Sequence, residues 1–259
     1  MLRSSKALRG YFILAKDGEI GRLEDFYFDD DYWIMRYLVV ETGAWIFGKK
    51  VLLSLTALRE PDWRVKSIPV DLTRQQVKNS PEIDTAKPVS RQQEMVLREY
   101  YQWPLYWNQT SSYGSPALYP PMRVRVRQAQ PVKGKGGDPH LRSLREVIDY
   151  QIQAKDGAVG HIDDLIVDDE TWTIRYLVVD TGKWLPGRKI LLAPHWIEWI
   201  DFNESLVSVG LEKTAIEKSP EYDPERPVNR EFEEVLYDYY GRPKYWHPVE
   251  LEQVQKEGR

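Results

Sequence analysis

The amino-acid sequence predicts a mainly β protein: two small β-barrels in tandem, each followed by a short C-terminal helical extension. Three observations carry that prediction. The stretch RYLVVETGAWIFGKKVLL at residues 36–53 returns as RYLVVDTGKWLPGRKILL at residues 175–192, 139 positions further on. The same offset aligns the AKDG of Ala15–Gly18 with that of Ala154–Gly157, Ser80–Asp84 with Ser219–Asp223, and Tyr106-Trp107 with Tyr245-Trp246. From about residue 8 to residue 107 the two copies align without a gap and about four positions in ten are identical, which marks one duplicated unit. The third observation is the pattern within each copy, short alternating apolar runs broken by Asp-Gly and Thr-Gly. At 259 residues the chain holds two units of ordinary domain size: residues 1–107, a linker over 108–140, and residues 141–259.

Residues 1–9 read as a polar lead-in. Tyr11–Ala15 is the first strand, running into Lys16-Asp17-Gly18, where glycine accepts the positive φ of a tight hairpin turn. Ile20–Phe28 is the next strand and ends in Asp29-Asp30-Asp31. Trp33–Glu41 then alternates with period two and is largely apolar on both faces, as expected of a strand covered on both sides. Strands at Val51–Leu53 and Lys66–Val70 complete the sheet. Leu72–Lys78 reads as a short helix stopped before Pro81, and Ser90 opens a second helix that carries Met95, Val96 and Tyr100 and ends at Pro104.

The linker has no counterpart in either copy and is rich in Gly, Pro and Ser, a composition that does not build its own core. Within it Met122–Arg127 alternates arginine with apolar residues and reads as part of a solvated tether, with an added edge strand as the alternative.

Composition narrows the function classes. A formal net charge of −4 argues against a protein whose main task is wrapping nucleic acid. The absence of cysteine excludes disulfides, thiolate nucleophiles and cysteine metal sites, and fits a cytoplasmic protein. The apolar run near the N-terminus is far shorter than the ~20 residues that span a bilayer. The four histidines, His140, His161, His195 and His247, show no metal-ligand spacing, and no nucleophile–histidine–acid set is nominated. The acidic turns Asp29–Asp31 and Asp168–Glu170 lack the pattern of a calcium loop and read as turn residues. No catalytic residue, cofactor site or metal site is therefore expected.

Arg36 and Arg175 sit mid-strand among Leu and Val, where a charge needs compensation. A hairpin with an even loop at Asp29–Tyr32 places Asp25 opposite Arg36 and Phe28 opposite Trp33, and in the second copy Asp164 opposite Arg175 and Val167 opposite Trp172. These are the expected structural ion pairs. The aromatic ends of the two units, Tyr101, Tyr106 and Trp107 in the first and Tyr240, Tyr245 and Trp246 in the second, form the candidate interaction surface. Their alternative role is to pack each helix onto its barrel.

The run AKDGxxG, an acidic turn, RYLVV(E/D)TG and then WxxG(K/R)K(V/I)LL resembles the PRC-barrel domain, known from the cytoplasmic part of the photosynthetic reaction-centre H subunit and from a ribosome-maturation factor of the 30S subunit. The likeness covers about residues 8–75 and 147–214, and the segment that follows each resembles the extension of stand-alone tandem PRC-barrel proteins of bacteria. The resemblance implies a non-enzymatic adaptor with a protein partner and no cofactor. Its alternatives are a peripheral accessory of an electron-transport complex and a ribosome-maturation type of RNA or ribosomal-protein binding. A pseudo-two-fold arrangement of the two units, in imitation of a homodimer, or a true homodimer, also follows as an expectation.

Overall fold

The computed structural model describes residues 1–43, 48–81, 89–103, 125–126, 139–182 and 187–247. It is mainly β, with two sheets. The first unit contains β1 (Leu2–Ser4), α1 (Ser5–Leu8), β2 (Phe12–Ala15), β3 (Gly18–Asp29), β4 (Ile34–Thr42), β5 (Lys50–Ser54), β6 (Ser67–Pro69), α2 (Arg74–Lys78), β7 (Val89–Ser90) and α3 (Arg91–Tyr101). A two-residue strand, β8 (Arg125–Val126), lies between the units. The second unit repeats the plan in β9 (Pro139–Ser143), α4 (Leu144–Val147), β10 (Gln151–Ala154), β11 (Gly157–Asp168), β12 (Ile174–Asp180), β13 (Lys189–Leu192), β14 (Ile197–Asp201), β15 (Leu206–Val209), α5 (Lys213–Glu217) and α6 (Arg230–Tyr240).

Within each unit the strand order is the same. It runs β5-β4-β3-β2-β6 in the first and β13-β12-β11-β10-β15-β14-β8 in the second, with β2–β6 and β10–β15 parallel and the other neighbours antiparallel except β14–β8. The second glycine of AKDGxxG has a steric cause. A Cβ on Gly21 would lie 2.0 Å from the Glu41 carbonyl oxygen, and one on Gly160 would lie 2.0 Å from that of Asp180. The long strand of each unit therefore crosses its partner at a point where no side chain fits.

The lead-in is not a tail. β1 pairs with β11 of the other unit (Leu2↔Asp168, Arg3↔Val167, Ser4↔Ile166), and β9 pairs with β3 (Leu141↔Asp29, Arg142↔Phe28, Ser143↔Tyr27). These two ladders are related by the 139-residue offset, so each unit lends a strand to the other. The sequence carries the trace, LRS at Leu2–Ser4 and again at Leu141–Ser143. β7 extends the exchange by pairing Val89 with Leu141, and Leu141 closes a small core with Tyr27, Tyr37, Val39, Leu52 and Leu97 under α3.

The exchange has a centre. Ile34 and Thr173, which occupy the same position in the two copies, form a bridge with each other. On either side Met35 N donates to Trp172 O at 2.9 Å and Ile174 N donates to Trp33 O at 2.8 Å. A residue that pairs with its own counterpart lies on a pseudo-two-fold axis. Trp33 (φ 57°) and Trp172 (φ 55°) hold left-handed backbone that is costly for a bulky residue. Burial compensates them: Trp33 is fully buried against Phe28 (ring centroids 5.1 Å), and Trp172 packs on Phe26 of the other unit (5.9 Å).

The segment around Arg125–Val126, read as a tether, supplies a strand on the edge of the second sheet, pairing in parallel with Trp199 and Ile200. In the first unit the position of Ile200 is occupied by Pro61, which has no backbone N–H to give to a ladder.

Trp33→Ala is expected to destabilise the protein by about 3–5 kcal/mol in urea unfolding, because it removes a fully buried indole. Gly21→Ala is expected to cost about 3 kcal/mol, since Glu41 backbone, rather than a movable side chain, blocks the new methyl.

Candidate functional site

The buried arginines are neutralised, but not by the expected partners. In the β3–β4 ladder Tyr27 faces Tyr37 and Phe28 faces Met35, so Arg36 is an extra residue in a bulge; Arg175 is the extra residue between Tyr176 and Ile174 in the β11–β12 ladder. A bulge bends the strand and re-aims the side chain that it releases. Arg36 consequently points towards the hairpin end and meets Asp29 at 3.5 Å, and Arg175 meets Asp168 at 2.8 Å. Asp25 instead lies opposite Val39, and Asp164 opposite Val178. The expected pairs Asp25–Arg36 and Asp164–Arg175 are thus replaced because the ladders end at Asp29↔Ile34 and Val167↔Ile174, two positions off the expected register, and each ladder is bulged. Phe28 likewise faces Met35 rather than Trp33 across the ladder, and Val167 faces Ile174 rather than Trp172.

The acidic turns then resolve into two roles. Asp29 Oδ1 accepts from the N–H groups of Asp31 and Tyr32, and Asp168 Oδ1 accepts from those of Glu170 and Thr171, so the first acid shapes the turn while its other oxygen faces the arginine. Burial works to raise the Asp168 carboxyl, but the Arg175 hydrogen bond and charge outweigh it and hold the group below its ordinary range. The second acid reaches across to the strand borrowed from the other unit: Asp169 binds Arg3 Nε, and Asp30 binds Arg142 Nε at 3.3 Å.

Asp25 and Asp164 belong to the same clasp. Ser4 caps α1 and gives its hydroxyl to Asp164 Oδ2, and Ser143 caps α4 and gives its hydroxyl to Asp25 Oδ2. Asp164 also accepts from Ser5 Oγ at 2.7 Å, a bond that Leu144 cannot supply at the matching position. Further out, Lys6 and Lys189 hold Asp163, and Arg145 and Lys50 hold Glu24. Desolvation opposes ionisation of Asp163 and Glu24, yet these cations keep both carboxyls below their usual range. At Asp30 desolvation wins, and the carboxyl is pushed up to about 7, with Arg142 opposing and Asp29 adding to the rise.

The helical extension of the second unit docks through a polar aromatic network. Glu233, buried on α6, accepts from Tyr176 Oη at 2.7 Å and Tyr245 Oη at 2.8 Å and pairs with Arg230 at 3.0 Å. Arg175 lies over the Tyr245 ring at 4.2 Å, and Arg230 over Trp246 at 4.1 Å. Tyr237 sits among Tyr176, Trp196, Tyr245 and Trp246, and its hydroxyl approaches His195 Nε2 at 3.4 Å. Burial drives His195 down to about 4, with Arg242 and Arg175 acting in the same direction.

Of the candidate interaction residues, Tyr240 packs on Trp196 (4.7 Å) and Tyr101 stacks on Trp103 (4.1 Å). Tyr240, Tyr245, Trp246 and Tyr101 are all partly buried members of the core margin, the packing role weighed as the alternative. Tyr106 and Trp107 lie outside the described residues. The exposed apolar groups are instead one step round each helix: Val96 and Tyr100 on α3, with Met95 beside them, and Val235 and Tyr239 on α6. The sequence signal for them was available, a Val and a Tyr four apart at the same positions in both copies. Tyr100 Oη bonds to the Gln76 carbonyl and Tyr239 Oη to that of Ala215, fixing the rings on the surface.

Among the described residues no group of three or more His, Cys, Asp or Glu is arranged to hold a metal ion. No helix among them is long and apolar enough to cross a membrane.

Two opposing pH effects follow. Asp30 has a folded pKa above its unfolded one, so its contribution to stability is largest near pH 4 and falls as pH rises to about 7. His195 is depressed, so its contribution is full above about 6.5 and is lost as pH falls towards 4. In urea unfolding across pH 4–8, Asp30→Asn is expected to remove the decline on the alkaline side and His195→Gln the loss on the acid side. Glu233→Ala is expected to cost about 3 kcal/mol or more, because Arg230 and two tyrosine hydroxyls lose their shared acceptor; Glu233→Gln, which keeps an oxygen there, is expected to cost less.

Comparison with curated proteins finds no match. Residues 139–207 match the family model described as PRC-barrel domain. The match begins at β9, the strand lent to the first unit, and ends in β15, so it spans the sheet whose hairpin carries the bulged arginine and the acidic turn. The chain carries a PRC-barrel domain in its second unit.

Proposed function

We propose that the protein is a non-enzymatic adaptor that presents two equivalent docking faces to protein partners. One observation carries this reading: the exposed pair Val96 and Tyr100 on α3 recurs as Val235 and Tyr239 on α6. The first unit, which copies the second through its strands and turns, is on this reading a second PRC-type barrel. The buried acids and arginines have structural partners: Asp29 and Asp168 hold turns, Arg36 and Arg175 meet those acids, and Glu233 accepts from two tyrosines. Val96 and Tyr100, and Val235 and Tyr239, set an apolar and an aromatic side chain outwards on each helix, residue types that occur at the centre of protein interfaces.

The two faces differ in their surroundings. Val235 and Tyr239 are flanked on α6 by exposed Glu231 and Glu234, with Asp238 paired to Lys244, so that face suits a partner with basic groups around an apolar anchor. Val96 and Tyr100 lie beside Met95, with Glu99 as the exposed acid of that helix.

The test is a pull-down from native lysate with the full chain and with the double variant V96E/V235E, at low and high salt. The substituted positions are exposed, so the fold is expected to survive within about 0.5 kcal/mol. A protein partner held by the wild type and lost by the variant supports the reading. Equal capture by both disproves a role for the helix faces, and a partner that is RNA or lipid favours one of the other PRC-barrel contexts.

A further inference from the structure

The clasp between the units is written in one code, used twice. Arg3 meets Asp169 and Arg142 meets Asp30; Ser4 meets Asp164 and Ser143 meets Asp25; Ile34 meets its own counterpart, Thr173. Each lead-in therefore carries the same groups, and so does each receiving strand. Placing a second copy of the first unit on the first would set Arg3 against Asp30, Ser4 against Asp25 and Ile34 against Ile34. Placing the second on the second would set Arg142 against Asp169, Ser143 against Asp164 and Thr173 against Thr173. Every charge keeps an opposite charge and every hydroxyl keeps a carboxylate. The polar contacts differ at Ser5, whose bond to Asp164 has no equivalent at Leu144, at Glu146, which pairs with Arg142 where the first copy has Ala7, and at the Met1 amino group, which reaches Asp169.

We propose that this clasp is a symmetric recognition surface that accepts a like unit as well as the unlike one, so that the partner it fits in trans is a second copy of this chain. Pairing within one chain prevails in dilute solution because the connection over residues 104–138 holds the units at an effective concentration on the order of millimolar. Specificity against a like unit would need a repulsive element. Among the clasp residues described the cations of each lead-in (Arg3, Lys6; Arg142, Arg145) match the acids of each receiving strand (Glu24, Asp30; Asp163, Asp169) in both copies, and the acid of the second lead-in, Glu146, is taken up by its own Arg142. The inference is independent of what the α3 and α6 faces bind.

The charges allow a test with two variants of identical composition. R3D/D30R sets Asp against Asp169 and Arg against Arg142 within a chain, yet restores opposite charges whenever first unit meets first unit and second meets second. R3D/D169R does the reverse, restoring pairing within the chain and opposing it between like units. Gel filtration with light scattering of the full-length variants is expected to show R3D/D30R at twice the mass of a single chain or more, and R3D/D169R as a single chain. Because Asp30 is buried, the same comparison is repeated at the more exposed rung, K6E/E24K against K6E/D163K, so that misfolding of one variant does not decide the result. Both members of a pair remaining single chains, or both associating to the same extent, would overturn the proposal.

Discussion

The hairpin tip at Asp29–Trp33, repeated at Asp168–Trp172, is the constraint on which the rest of the molecule depends. Its first acid ties down the turn with one oxygen and faces the bulged arginine with the other. Its second acid takes the arginine of the strand that arrives from the other unit. Its tryptophan turns through left-handed backbone and hands its carbonyl to the opposite hairpin. Within five residues, Asp29, Asp30 and Trp33, like Asp168, Asp169 and Trp172, thus join three tasks. A bulge that would be an irregularity in an ordinary sheet is here the means by which a buried cation is delivered to the turn.

The exchange explains why the two sheets share one core. Most buried side chains of both units belong to one continuous core, and the tryptophan of one hairpin packs on a phenylalanine of the other unit. A unit of about 100 residues buries only part of its surface by itself, so sharing an edge strand and a core serves stability and also covers strand edges that would otherwise invite aggregation. The helical extensions use a different device. On α6 a buried carboxylate collects two tyrosine hydroxyls and an arginine, and aromatic rings close around it. Such a network is worth its desolvation cost only when every member is satisfied, which makes the extension sensitive to single substitutions in a way the apolar core is not.

Much of the fold was legible in the sequence, because period-two alternation and turn residues are local signals. The strands expected at Tyr11–Ala15, Ile20–Phe28, Trp33–Glu41 and Val51–Leu53 match β2 to β5 within two residues at either end. Register was not legible. The bulges that leave out Arg36 and Arg175 depend on where the hairpin end packs, and a shift of two or three positions moved the partner of each arginine from Asp25 to Asp29 and from Asp164 to Asp168. The pairing of the lead-in leaves no periodic signal in three residues, although LRS at both places marks the true start of the repeat. At the candidate surface, Tyr101, Tyr240, Tyr245 and Trp246 drew attention as aromatics, but aromatic content does not say which side of a helix meets solvent; Val96 and Val235 do, once the helix is placed.

Reciprocal lending of strands is the centre of this account, and the most direct test is to cut the connection. A single protease site introduced between residues 108 and 120 would separate the chain into two fragments held together without a covalent link, by β1–β11, β3–β9, β7–β9, the hairpin bridge and the side chains packed around them. The account predicts that the cleaved protein elutes with both fragments together in gel filtration without denaturant, and that they part only when the sheets unfold. Fragments that separate on cleavage, each keeping its sheet, would contradict it.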